Sequence, residues 1–508
     1  MSALPYSGAA LKRSAAHFLL GKGASAMITF VILLWMVRLL PVEQYGVYVT
    51  LVAGVELAIA VSGFGMIWLA ARYLPEYRMH ATGPVLSRFV WQFLAQISGL
   101  LVAGTLVLYF LLPAFMAALG LAAWQDIGYL YLPMLLLEGA ARHVRESLLG
   151  PLMQQGWAQL SLVVRNIALL LLLGILSVWN AVSLREIVIA EVAASALGLA
   201  IGLYGLARHL RHQRRQTGAP EWHPPRWLDM WPTAGNMYSS QMISLIYSAQ
   251  VFVFLVQRYL GVEATALFGF LRSLYDQVTR YLPAALLFGI IRPKLVASYV
   301  GDGGMAALVR NANLVGKLSL FALMPMVVLT WWAGPGLVSV LSGGAFVQPG
   351  YYLAGLMLAL IPFSQRQIVE TLAVAVGRSR LCTVAAACSA ISLPLTLALL
   401  WLGLGLWAPV IGIGTGNLIF NVVILGRLAW EDAYRADRNG MLKLLAAASL
   451  SLVLLAALPV TVDTWRSVFV AAIACCLVYL VTAYLIKPFT SSERESINRL
   501  ANRKIFVW

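Results

Sequence analysis

The stretch RLLPVEQYGVY, Arg38–Tyr48, ends one long apolar run and starts another, and about 220 residues later the chain repeats it as VQRYLGVEATALFG, Val256–Gly269. Arg38 aligns with Arg258, Leu40 with Leu260, Pro41 with Gly261, Val42 with Val262 and Glu43 with Glu263. A catalytic pair has no reason to occur twice. A hairpin joining the first two helices in each half of a duplicated bundle does, so Arg38, Glu43, Arg258 and Glu263 are expected to staple two such turns. A second echo supports the first. RHVRESL, Arg142–Leu148, aligns with RQIVETL, Arg366–Leu372, placing Arg142 opposite Arg366 and Glu146 opposite Glu370.

The flanking runs identify the medium. Of 508 residues, 61% are hydrophobic and 11% charged, and the mean hydropathy is +0.82, outside the range of a soluble domain. Apolar stretches long enough to span a bilayer recur along the whole chain, without the alternation of a barrel strand. They predict an all-α polytopic membrane protein of about fourteen transmembrane helices. Six spans per half is an even number, so the halves enter the membrane from one side as a parallel pseudo-twofold repeat enclosing a central cavity. The expected organisation is an N-terminal six-helix bundle over 1–210, a basic cytoplasmic linker over 211–232, a second bundle over 233–430, and two extra helices with a basic cytoplasmic tail over 431–508.

The net charge of +16 is not gathered into one patch that would bind nucleic acid. It alternates between loops and places both termini in the cytoplasm, with 41–45 and 333–349 outward. The amphipathic LKRSAAHFLLGKG lacks a cleavage site and reads as part of a retained first helix. Cys382, Cys388, Cys475 and Cys476 fall in spans, so no disulfide is expected. No metal-ligand spacing and no GxxxxGK[ST] stretch occurs, so neither a metal, a cofactor nor ATP hydrolysis is expected, and no residue is assigned as catalytic.

Charges inside spans cost about 2.5–3.5 kcal/mol each, so those retained are the candidates for function. RSLYDQVTR puts Arg272, Asp276 and Arg280 on one helix face at four-residue steps. Asp276 aligns with Glu56 of VAGVELAIAV, so each half offers one acid, either for proton or cation coupling or for holding the bundles together. Glu146 and Glu370 are further coupling candidates, although their spacing to Arg142 and Arg366 equally suits intrahelical ion pairs. Arg165, Lys22 and Lys317 lie near span ends, where long side chains snorkel to headgroups. LAWEDAYRADRNG mixes acids with Arg435 and Arg438 and reads as a solvated connection, not as the acidic loop of a polyprenyl-phosphate transferase.

MVRLLPVEQYGVY, then ARYLPEYR, then GIIRPKLVASYVGDGG together resemble the polysaccharide or O-antigen flippases of the multidrug/oligosaccharidyl-lipid/polysaccharide exporter superfamily. The resemblance implies a non-enzymatic flippase of the bacterial inner membrane. Such a protein moves an undecaprenyl-diphosphate-linked oligosaccharide from the inner to the outer leaflet by alternating access, among membrane lipids and other polysaccharide-assembly proteins. Arg272, Arg280, Asp276, Arg142, Arg366 and Arg165 are then the substrate-binding candidates, because guanidinium matches diphosphate bidentately. A multidrug or cation antiporter of the same fold and a peptidoglycan lipid-precursor flippase are the alternatives.

Overall fold

The computed structural model describes residues 8–179, 182–215, 218, 222–282, 304–346, 350–431, 434–458 and 461–501. Among these residues the secondary structure is helical throughout, with no strand. In chain order the helices are α1 (Gly8–Leu39), α2 (Val42–Ser62), α3 (Met66–His80), α4 (Gly83–Ala118), α5 (Gln125–Tyr131), α6 (Pro133–His143, continuing into a π-helical turn Val144–Leu149), α7 (Gln155–Val178), α8 (Leu184–His212), α9 (Trp227–Leu245) and α10 (Ala249–Leu260). They continue with α11 (Val262–Tyr281), α12 (Gly304–Ser342), α13 (Tyr352–Ala375), α14 (Arg380–Ser389), α15 (Ser392–Trp401), α16 (Trp407–Glu431), α17 (Arg438–Ala456), α18 (Trp465–Ile486) and α19 (Ser491–Ala501). GIIRPKLVASYVGDGG, Gly289–Gly304, lies outside the described residues except at its last position.

Eleven of the described helical stretches are long and apolar enough to cross a membrane. Of the about fourteen apolar runs in the sequence, those over 127–148, 266–290 and 350–373 are not among them, and these three carry the charged pairs and the α11 triad. α5 and α6 divide the first at Leu132–Pro133, α11 carries Glu263, Arg272, Asp276 and Arg280, and Gln365, Arg366 and Gln367 interrupt the apolar run of α13. The first is thus set apart by length, and the second is described only to residue 282.

The chain divides into two compact units, one of Met1–Leu245 with Gln250–Ala266 and one of Ile246–Ala249 with Leu267–Trp508. In the first unit α7 packs on α1 and α8, and α6 on α4 and α8. In the second, α13 packs on α12 and α16, and α17 and α18 pack on each other and on α12.

The two repeated stretches fold alike. α1 ends at Leu39 and α2 begins at Val42; α10 ends at Leu260 and α11 begins at Val262, with Gly261 at φ +86° making the turn. No Arg–Glu ion pair closes either turn among the described residues. Arg38 and Arg258 sit in last turns and Glu43 and Glu263 in first turns, positions where each charge complements its own helix dipole. In the first unit the α2 hairpin also approaches the second one closely. A Cβ on Gly46 would lie 2.2 Å from the Val262 carbonyl oxygen, and Thr50 donates to Gln257 at 3.4 Å. Gly46→Ala is therefore expected to lower the first unit's stability by about 1–3 kcal/mol, measured as a fall in Tm; an unchanged Tm would show that this approach is dispensable.

A second break separates α2 from α3. Phe64 (φ 40°) and Gly65 (φ 73°) both take left-handed backbone, an uncommon and strained state for a bulky residue such as Phe64. Tyr238 of α9 covers the break, stacking on Phe64 at 5.1 Å and donating to the Val61 carbonyl at 2.8 Å. The described part of the basic linker is pinned to α3 and α4: Trp222 Nε1 donates to Glu76 at 3.2 Å and Trp227 Nε1 to Gln92 at 3.3 Å.

Candidate functional site

The buried charge of the first unit centres on a network that the sequence pattern does not display. Arg145 donates to Glu138 Oε1 at 2.6 Å. Arg165 Nε lies 3.2 Å from Glu138 Oε2 and donates to Ser195 at 3.0 Å. Its NH2 donates to Glu191 at 3.2 Å and its NH1 to Asn166 at 3.2 Å. Tyr131 and Tyr48 donate to Glu191 at 3.0 and 3.4 Å, and Asn166 reaches Ser25 and Thr29 on α1. Two carboxylates and two guanidiniums thus neutralise one another inside the bundle. Arg165 does not snorkel: its side chain is buried and its guanidinium is engaged with this chain through all three nitrogens.

Beside this network a cavity of about 150 Å³ opens at the α2–α3 break, its wall combining Ile59 and Ile67 with Arg142, His143, Glu146 and Gln241. The expected Arg142–Glu146 ion pair does not form among the described residues. The cause is local. Glu146 sits in the π-helical turn Val144–Leu149, whose i→i+5 register carries it out of line with a residue four positions earlier.

In the second unit Arg366 of α13 departs from its expected partner too. It donates to Asn417 and to the Tyr247 hydroxyl, each at 3.2 Å, and lies over the Phe420 ring at 4.2 Å, a cation–π arrangement that replaces a counter-charge. Glu370 forms no ion pair among the described residues. On α11, Arg272 is buried and meets Asp276 at 3.6 Å, whereas Arg280 is exposed and forms no ion pair among the described residues. The three share a face, but the carboxylate holds only the first. Glu56 is half-buried and accepts a hydrogen bond from Gln250 at 2.9 Å.

Lys317 is a further correction. It is 0% exposed rather than snorkelling, and its Nζ donates to Asp437 and Glu493, each at 2.6 Å, and to the Pro488 carbonyl at 3.4 Å. Asp437 belongs to the described part of the loop read as solvated. Burial opposes its charge, yet the Lys317 hydrogen bond and the Gly440 amide hold its carboxyl below the usual value. Sequence reasoning passed over Glu138, Arg145, Glu191 and Lys317 as functional or structural centres. The available signal was that Glu138, Glu191 and Lys317 are each a lone charge in apolar surroundings and must find a partner elsewhere, whereas Arg145 sits among the charges of RHVRESL.

The chain is a multi-pass helical protein that retains neutralised charge networks within its helices. Its fold is that of the structure described as lipid II flippase MurJ, inward closed conformation, with TM-score 0.70 at 12% identity over 96% of this chain and 99% of that one. A Vibrio cholerae MATE transporter, VcmN, follows at TM-score 0.55 and 15% identity, over 84% of this chain and 99% of that one. An inward-facing multidrug-resistance MATE family transporter of the MOP superfamily gives 0.55 and 13%, over 80% and 94%. No curated protein matches the sequence. The family described as polysaccharide biosynthesis protein matches residues 11–288, more than half of the chain, and the protein belongs to that family.

Proposed function

We propose that this protein carries an undecaprenyl-diphosphate-linked oligosaccharide from the inner to the outer leaflet of the cytoplasmic membrane by alternating access, both termini being cytoplasmic. The observation that carries the reading is the placement of arginine. The helical stretches α6 with its π-helical turn, α11 and α13 hold Arg142, the Arg272–Arg280 face and Arg366, and a polysaccharide-family transporter has one cargo chemistry that calls for guanidinium, the diphosphate. A drug exporter taking cations would be poorly served by these groups. The MurJ fold favours a second reading, a peptidoglycan lipid precursor as cargo, which shares the polyprenyl diphosphate and differs in the sugar.

Within this reading Arg272, fixed by Asp276, and Arg280, exposed and without an ion pair among the described residues, receive phosphate oxygens. Arg165 acts as structure, since its donors are spent. The test is translocation in vesicles reconstituted with the protein and a lipid-linked oligosaccharide. Arg280→Lys keeps the charge and loses the bidentate fork, and is expected to lower translocation per molecule about tenfold, the worth of one charge-assisted hydrogen bond of ~1.5 kcal/mol. Wild-type translocation in this variant removes Arg280 from the cargo site; absence of translocation by the wild-type protein with either class of cargo removes the function.

A further inference from the structure

The cavity at the α2–α3 break contains Arg142 and Glu146, two opposite charges that form no ion pair with each other; Glu138 lies within electrostatic reach of Arg142, and Glu146 is exposed. Neither forms a hydrogen bond within the described residues, so both keep donors or acceptors for a ligand in the cavity. An α-helix would have stacked them; the π-helical turn keeps them apart. That turn is itself braced, with His143 Nδ1 and Ser147 Oγ 3.1 Å apart, and the imidazole stands at the cavity wall, its Nε2 3.6 Å from where a Cβ on Gly63 would lie. On the facing side the first turn of α3 begins at Gly65, so the positive end of that helix dipole adds to Arg142. Gln241 of α9 contributes an amide able both to donate and to accept.

Ligand chemistry follows by elimination. A simple anion satisfies Arg142 and repels Glu146; a simple cation does the reverse; an apolar molecule satisfies neither. A sugar bearing a phosphate satisfies both, its anionic oxygens on the guanidinium and its hydroxyls donating to the carboxylate. Size agrees: the space holds on the order of ten waters, comparable to the roughly dozen non-hydrogen atoms of one hexose.

We propose that this cavity binds the phosphate-proximal sugar of the lipid-linked cargo, with Arg142 on the phosphate and Glu146 and Gln241 on the sugar hydroxyls. The proposal rests on the flippase reading and adds to it a place where the first sugar is read.

The experiment is binding by the full-length protein in nanodiscs, with two probes: undecaprenyl diphosphate, and the same lipid carrying one N-acetylglucosamine. Wild type is expected to prefer the sugar-bearing lipid. Glu146→Gln and Gln241→Ala are expected to weaken that lipid roughly tenfold while changing undecaprenyl diphosphate less than about twofold; Arg142→Gln weakens both roughly tenfold. Glu146 is exposed and Gln241 half-buried, so neither change opens the core, and an unchanged Tm verifies folding. If the Glu146 and Gln241 variants alter both lipids equally or neither, or if wild type does not distinguish the two lipids, the sugar subsite is overturned while translocation in vesicles still upholds the flippase. If wild type binds neither lipid, the functional reading falls and the subsite with it.

Discussion

Lys317→Met is expected to free the C-terminal helix α19 and to lower the Tm of the second unit on the order of 10 °C. The lysine is fully buried, and all three of its ammonium protons are used, on Asp437 ahead of α17, on Glu493 in α19 and on the Pro488 carbonyl between α18 and α19. Removing it leaves Glu493 and Asp437, with 11% and 29% of their side-chain surface exposed, facing each other without a counter-ion. Breaking a buried pair by deleting one partner costs about 3–5 kcal/mol. The apolar contacts of Phe489 and Ile497 with Leu314 remain and resist release only in part. Limited proteolysis of the tail with a thermal scan is the measurement, and a tail as protected as in wild type at unchanged Tm would refute the latch. Acid should weaken it as well. The folded carboxyl of Asp437 is held below its usual 3.8, so its share of the stability is complete above about pH 4 and is lost as pH falls through the lowered folded value. Glu493→Gln, which removes one charge and keeps an acceptor, should loosen the tail less than Lys317→Met.

The hairpins were legible because their signal is local. An arginine ending one helix and a glutamate opening the next, around Pro41 or Gly261, dictate a turn whatever packs on it. Spans were legible for the same reason, since bilayer thickness translates directly into run length. What pattern reading misjudged was the partner of each charge. Arg142 and Glu146 look paired by spacing, and only the π-helical turn undoes it, a register that no residue in VRESLL announces. Arg366 exchanges Glu370 for an amide and two aromatic side chains from other segments. Lys317 reads as a snorkelling span end because Glu493, its cover, lies 176 residues away in a tail whose composition suggests solvent. Charges in a membrane protein are placed by tertiary contact, and sequence spacing shows only the neighbours on the same helix.

Arg165→Met should be more damaging than any cargo-site change, because Arg165 is where three helices of the first unit, α6, α7 and α8, share their charge. Its guanidinium joins Glu138 of α6, Glu191 and Ser195 of α8 and Asn166 of its own helix α7; through Glu191 the set extends to Tyr48 of α2 and Tyr131 of α5. The substitution leaves Glu191 without its ion pair, while Glu138 keeps its pair with Arg145 and the more distant Arg142. At about 3–5 kcal/mol for an uncompensated buried charge, the loss is comparable to the whole stability of an ordinary domain, and the expected result is little folded protein in the membrane. Arg165→Lys should recover a minority of it, since one ammonium cannot span Glu138, Ser195 and Glu191 together. The decisive arm is compensation. Glu191→Gln keeps an acceptor for Tyr48 and Tyr131 and removes the stranded charge, so Arg165→Met with Glu191→Gln should be more abundant and more heat-stable than Arg165→Met alone. A residue that serves only to grip cargo would behave in the opposite way: Arg165→Met would fold normally and fail to translocate, and Glu191→Gln would restore nothing. Abundance and Tm measured beside translocation per molecule separate the two.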